Sequence, residues 1–196
     1  MVDRESVKAF FDRLAPQWDA DMIRDDAVIE TILNNACVTA GADVLDVACG
    51  TGVLIPDYLA RNVASVTAID LSPNMASIAR AKFGAQPNVT VLCGDVERTD
   101  FGRLFDCIVI YNALPHFADP ARLCAALANA LKPGGVLTVA HGMSRECINR
   151  HHAGVPSPVY TDLPPAGELA ALFRAHLSVT TVISDARMYQ VAGRKA

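Results

Sequence analysis

The segment Asp43-Val44-Leu45-Asp46-Val47-Ala48-Cys49-Gly50-Thr51-Gly52 runs from an apolar strand into a glycine turn, and a helix follows from about residue 53. Gly50 and Gly52 lack Cβ atoms, so a ligand can press against the backbone there. The new helix would aim its free N–H groups and positive dipole end at that ligand. Asp46 lies inside an otherwise apolar run, where a lone carboxylate is expensive unless bonded. A dinucleotide fingerprint would read G-x-G-x-x-G. Here Gly52 is followed by Val53, Leu54 and Ile55. The third glycine is missing, which favours a ligand without a diphosphate.

Strand and helix patterns alternate downstream. Residues 65–70 alternate like a strand and end in Asp70, 18 residues after Gly52. An acid about 20 residues past a glycine turn accepts ribose hydroxyls in nucleotide-binding folds. Ser72 can cap the next helix, with Pro73 at its first position. Asp70 would then stand at a strand's C-terminal edge, where open α/β sheets bind ligands. The plainer alternative is a loop aspartate or helix cap. Further strands are expected over residues 88–93, 105–110 and 136–140, with a helix over 119–131 and a Lys132-Pro133-Gly134-Gly135 turn. The chain would close with a helix from about residue 168 and a hairpin of strands 178–183 and 188–192. Upstream, Val7, Phe10, Phe11 and Leu14 have helical spacing and Pro16 should end that helix. A second helical pattern runs over residues 22–38. Most of these apolar residues read as a pair of helices capping the core.

Leu45-Asp46-Val47-Ala48-Cys49-Gly50-Thr51-Gly52 resembles the first motif of the class I S-adenosylmethionine-dependent methyltransferases, Leu-Asp-x-x-x-Gly-x-Gly. Leu71-Ser72-Pro73-Asn74-Met75 and Leu131-Lys132-Pro133-Gly134-Gly135 resemble segments of the same family. The resemblance covers nearly all of residues 40–196 and is looser before them. It implies a three-layer Rossmann-like α/β sandwich: a seven-stranded, mostly parallel sheet with an antiparallel C-terminal strand, plus N-terminal lid helices. One domain is implied, with a helical cap over residues 1–39 and a core over 40–196.

The resemblance also implies S-adenosyl-L-methionine as cofactor. The Gly50–Gly52 turn, with Ala48 and Thr51, would meet its amino-acid end, and Asp46 would position that end. Asp70 would take the ribose hydroxyls, and Leu71 after it would also contact the cofactor. Asp95 would accept from the adenine amino group beside Gly94, with the Val96 backbone N–H on a ring nitrogen. Met75 would line the adenine pocket or pack in the core. Asn112 would meet the methionine part. Phe11-Asp12-x-Leu14-Ala15-x-x-Trp18-Asp19 looks like the lid segment of small-molecule methyltransferases. Tyr111-Asn112-Ala113-Leu114 lacks the Asn/Asp-Pro-Pro-aromatic motif of base-amino methyltransferases, which argues against DNA adenine or cytosine-N4 chemistry.

Acceptor residues are less legible. His141 ends the fifth strand. His116 would contact the acceptor, act as a base, or pack structurally. If residues 144–152 are helical, Arg145, Asn149 and His152 share one face, turned either into the pocket or to solvent. His141, His152 and His116 are, in that order, the candidates for a general base. A metal site is not expected, because His151 and His152 are helix neighbours that cannot easily grip one ion. Four prolines mark a loop over about 154–166.

Bulk properties agree with a single globular unit. The chain has 196 residues, 52% hydrophobic and 19% charged. A net charge of −4 and a pI near 5.7 speak against nucleic-acid or anionic-membrane partners. No apolar run approaches the roughly 20 residues of a membrane span. Six cysteines without a C-x-x-C pair suggest reduced, mostly buried thiols in a cytoplasmic protein. The expected function is methyl transfer to a small-molecule acceptor by a monomer or homodimer. Two alternatives stand beside it: an NAD(P)-dependent oxidoreductase, disfavoured by the missing glycine and the lack of a Tyr-x-x-x-Lys pair, and a noncatalytic cofactor-binding subunit.

Overall fold

A computed structural model describes residues 2–152 and 158–196. Seven strands form one sheet in the order β3-β2-β1-β4-β5-β7-β6. They are β1 (Asp43–Val47), β2 (Ser65–Asp70), β3 (Val89–Cys93), β4 (Phe105–Tyr111), β5 (Leu131–His141), β6 (Ser178–Ser184) and β7 (Tyr189–Arg194). β1 through β5 pair in parallel, and β7 runs antiparallel to both β5 and β6. The expected sheet and its closing hairpin are therefore present.

The helices are α1 (Arg4–Leu14), α2 (Asp26–Asn35), α3 (Ile55–Ala60), α4 (Pro73–Phe83), α5 (Pro120–Ala130), α6 (Arg145–His152) and α7 (Ala166–Arg174). Strand side chains alternate between the two sheet faces, and both faces are covered. Leu45, Val47, Ile108 and Ile110 join Leu123, Leu127, Leu169 and Phe173 on one side. Val44, Cys107 and Val109 join Ile29, Ile32, Tyr58 and Ala79 on the other. These are the three layers of a Rossmann-like sandwich. Among the described residues, no helix is long and apolar enough to cross a membrane.

The two N-terminal helices play different parts. α2 is a core helix with Val28, Ile29, Ile32 and Leu33 buried. It starts at Asp26 rather than near residue 22, because the Asp25 side chain accepts from the Val28 N–H and caps it there. α1 buries only Val7 completely. Its Phe10 and Phe11 stay half-buried against Val2, Val159 and Leu71. Pro16 ends α1 as expected, in a 3-10 turn over Ala15–Gln17.

β5 is longer than the sequence suggests. The Lys132–Gly135 segment bulges within the strand instead of forming a separate turn, and the register to β4 shifts there. The cysteines are less buried than expected: Cys49, Cys107 and Cys124 are buried, Cys37 and Cys147 half-buried, and Cys93 exposed, all as free thiols.

Candidate active site

β1, β2, β4 and β5 all deliver chemistry-bearing residues to the same sheet edge, their C-terminal one. The turn after β1 holds the left-handed residues Ala48 (φ 54°), Gly50 (φ 56°) and Gly52 (φ 87°). The two glycines have different reasons to be there. A Cβ on Gly50 would meet nothing nearer than Trp18 Nε1 at 3.8 Å, so the space above it is open to a ligand. A Cβ on Gly52 would stand 2.8 Å from the Phe83 ring and 2.9 Å from Ile55. Gly52 lets helices α3 and α4 close on the turn, whereas Gly50 lets a ligand approach.

Asp70 ends β2 and fastens this turn. Its Oδ2 accepts from the Gly50 N–H and its Oδ1 from the Ser72 N–H, both at 2.8 Å. Burial raises its pKa, against the lowering effect of these two bonds. Asp46 lies beneath the turn, 2% exposed. Burial pushes its carboxyl up to about 8; a nearby Tyr58 hydroxyl eases this in part, and the Asp70 charge adds to it. The Tyr58 contact falls short of a hydrogen bond, and Asp46 Oδ2 and the Tyr58 hydroxyl are both buried without a partner among the described residues. The Thr51 hydroxyl donates to Asp19 of the N-terminal segment.

Past β3, Asp95 Oδ1 accepts from the Glu97 N–H at 3.0 Å. Arg4 Nη1 of α1 stands 2.8 Å from Asp95 Oδ2 as a charge contact without hydrogen-bond alignment. Past β4, Asn112 is left-handed (φ 55°) and its Oδ1 accepts from the Gly142 N–H at 2.9 Å. This bond ties the ends of β4 and β5 together.

A cavity of about 490 Å³ runs along this edge. Gly94, Asp95, Val96, Leu71, Met75, Asp70, Ala48, Gly50 and Asn112 line it in one continuous groove. Asp46, Thr51 and Gly52 are not among its lining residues. The same cavity is lined by the apolar side chains Phe10, Phe11, Phe117, Met143 and Ile148, with His116 and His141 among its lining residues.

α1 and the segment after it form the roof. Asp12 Oδ1 accepts from the Ser72 hydroxyl and, at 3.1 Å, from the Asn74 N–H. Lys82 donates to Asp19 Oδ2 at 2.9 Å. Arg24 donates to the Val53 carbonyl at 2.8 Å and to Asp57 at 2.6 Å. Each anchor lands within a few residues of a groove residue.

The histidines separate clearly. His116 Nδ1 is 3.0 Å from the Val159 carbonyl oxygen. A carbonyl only accepts, so Nδ1 carries the proton and Nε2 is the basic nitrogen of the neutral ring. Phe11 packs on this ring edge-to-face at 4.8 Å. His141 is 1% exposed and packs edge-to-face with Tyr189 at 5.9 Å. His152 closes α6, and its side chain lies outside the described residues, as does most of the first half of the proline loop.

Arg145 and Asn149 do share a helix face, but neither expected use of it holds. Arg145 Nε donates to the Leu163 carbonyl at 2.8 Å, and Asn149 Oδ1 accepts from the Leu163 N–H at 2.8 Å. They clamp α6 to the following segment. The face carrying Ile148 and His151 therefore turns to the cavity.

The chain is similar to known proteins. Residues 44–135 match the family profile described as a methyltransferase domain. The chain is 31% identical over 140 residues to the malonyl-[acyl-carrier protein] O-methyltransferase of Acetivibrio thermocellus, covering 70% of this chain and 49% of that protein. The chain carries a methyltransferase domain of the class I S-adenosylmethionine-dependent kind.

Two further proteins are similar to this chain. The ubiquinone biosynthesis O-methyltransferase of Xylella fastidiosa (strain 9a5c) is 40% identical over 104 residues, 52% of this chain and 42% of that protein. The N-methyltransferase NodS from Bradyrhizobium japonicum WM9, solved in complex with S-adenosyl-L-homocysteine, shares the fold with a TM-score of 0.74. Identity to it is 15%, over 98% of this chain and 97% of that one. The chain spans about half the length of the curated relatives it matches. S-adenosylmethionine is the cofactor of this methyltransferase class, and the oxidoreductase alternative falls with that assignment. The groove fits such a cofactor: it is open above Gly50 and carries the acids Asp70 and Asp95 in its lining.

Proposed function

We propose that this methyltransferase carries a methyl group from S-adenosylmethionine to an oxygen atom of a small, largely apolar acceptor, with His116 as general base. The observation that carries this reading is the apolar share of the cavity lining, where Phe10, Phe11, Phe117, Met143 and Ile148 form an acceptor chamber that also includes His116. Such a lining suits an apolar body and leaves few groups to position the reacting atom. Oxygen as the attacking atom is supported by the two curated relatives, both named as O-methyltransferases.

When bound, S-adenosylmethionine supplies a methyl group made electrophilic by its sulfonium. The chain's own part is to bind, orient and exclude water. Asp70 would accept from ribose hydroxyls through the lone pairs left beside its two backbone bonds. Asp95 and the Val96 N–H would take the adenine edge. The open backbone at Gly50 would receive the amino-acid end, with Trp18 above it. Phe11 and Trp18, 5.6 Å apart in an edge-to-face pair, would keep water from the reacting atoms. His116 Nε2 would take the acceptor's proton, while the Val159 carbonyl steadies the imidazolium that forms through its bond to Nδ1. His116 replaces His141 as first candidate because the Val159 bond fixes its tautomer, whereas His141 is packed almost wholly inside.

The test is transfer of a labelled methyl group to a panel of phenols, enols, carboxylic acids and amines, with products identified by mass spectrometry. Label on a hydroxyl or carboxyl compound supports the reading. Label on amines alone would overturn the oxygen assignment.

A further inference from the structure

Three soft donors lie next to one another on α6 and the turn before it. Cys147 Sγ is 3.8 Å from Met143 Sδ and 3.8 Å from His151 Nδ1. Met143 and His151 line the chamber, and the half-buried Cys147 stands between them. The clamp of Arg145 and Asn149 on Leu163 fixes the helix so that this strip faces the rim. We propose that Met143, Cys147 and His151 form a binding site for a soft, thiophilic metal ion such as Cu(I), at the rim of the acceptor chamber.

Two kinds of observation carry this. The first is donor type. Thioether, thiol and imidazole together suit Cu(I) and exclude the hard cations, which need carboxylate and carbonyl oxygens. Among the described residues, no trio of His, Cys, Asp and Glu side chains gathers for a metal, so any ion held here depends on the thioether. The second is spacing. Donors at about 2.0–2.3 Å from one ion stand roughly 3.5–4 Å from each other, in tetrahedral or trigonal arrangement. Both separations from Cys147 already have that value, and the Met143 and His151 side chains would turn towards each other to close the shell around one ion. On binding, Cys147 loses its proton to solvent and ligates as thiolate, with no change in oxidation state. The site does not depend on which acceptor the enzyme uses.

The experiment is titration of the reduced protein with Cu(I) against a chromogenic Cu(I) chelator, followed by X-ray absorption of the singly loaded wild type. One equivalent is expected, with a first shell containing both sulfur and nitrogen. Met143→Leu and His151→Ala should each weaken binding about tenfold or more, and Cys147→Ser beyond about 100-fold. Cys93→Ser, which removes the exposed thiol elsewhere, should leave it unchanged. An all-sulfur first shell overturns the site. So does wild-type affinity in both Met143→Leu and His151→Ala, which would mark a bare thiol. Because the absorption spectrum is taken on wild type, a variant that fails to fold does not remove the test.

Discussion

The Asp70 carboxylate accepts the Gly50 backbone N–H at 2.8 Å, so the acid that ends β2 holds the glycine turn that follows β1. A residue proposed to grip the cofactor ribose thus also shapes the loop that receives its other end.

That double duty makes Asp70→Ala costlier than loss of a ligand contact alone. It leaves the Gly50 and Ser72 N–H groups without their acceptors, at about 1–3 kcal/mol for each one that stays buried. Asp70→Ala is expected to lower both S-adenosylhomocysteine affinity, by calorimetry, and the thermal unfolding midpoint. Asp70→Asn keeps one acceptor oxygen and should fall between. Unchanged affinity in the alanine variant would remove Asp70 from the cofactor site.

The glycines of the turn should separate in opposite directions. Gly52→Ala pushes a Cβ to 2.8 Å from the Phe83 ring and should cost stability before anything else. Pairing it with Phe83→Leu should recover part of the loss. Gly50→Ala finds space in the protein, apart from its left-handed φ of 56°, and should cost more in cofactor affinity than in folding. Equal melting temperatures for the two single variants would contradict this division.

Asp46 gives a pH dependence of defined sign. Its pKa is raised from 3.8 unfolded to about 8 folded, chiefly by burial. Between those values the folded protein holds a proton that the unfolded chain has released. Stability from this group is therefore present at low pH, declines as pH rises through this window, and levels off above about 8. The slope approaches about 1.4 kcal/mol per pH unit. Asp46→Asn removes the titration. Its melting temperature should match wild type near pH 4 and exceed it increasingly towards pH 8. A constant difference across the range would show that Asp46 does not hold this proton.

The base assignment is tested by His116→Ala. Turnover should fall about 10²- to 10⁴-fold with cofactor affinity little changed. His141→Ala should act mainly on stability, since the ring is buried against Tyr189. The reverse pattern would return the role of base to His141.

Asp12 fastens the roof to α4 through Ser72 and Asn74. Asp12→Ala is expected to speed release of S-adenosylhomocysteine in stopped-flow measurements, with a smaller effect on its association rate. An unaltered release rate would mean that α1 does not cover the bound cofactor.

Much of the cofactor side was legible in the sequence because it is local. Asp46, Gly50, Asp70 and Asp95 each sit at or just after a strand end, and a strand end is visible as a change of hydrophobic period. The order of strands and helices carried the sheet for the same reason. Gly52 was legible as a glycine, but its partner Phe83 was not, since that contact spans thirty-one residues of chain. α2 resembled α1 in pattern, and only packing showed one in the core and the other over the groove.

The acceptor side was decided in three dimensions. Spacing put Arg145, Asn149 and His152 on one face and could not say what that face meets. The answer is the backbone of Leu163, which turns Ile148 and His151 inward instead. Likewise, the Val159 carbonyl, forty-three residues from His116, selects which ring nitrogen is basic. Sequence by itself determined the α/β order, the glycine turn and its acids, because each is written in neighbouring residues. Tertiary structure alone decided which nitrogen of His116 is basic and which helix face lines the chamber. Those properties depend on partners distant in the chain and on exclusion of water, and neither leaves a periodic trace.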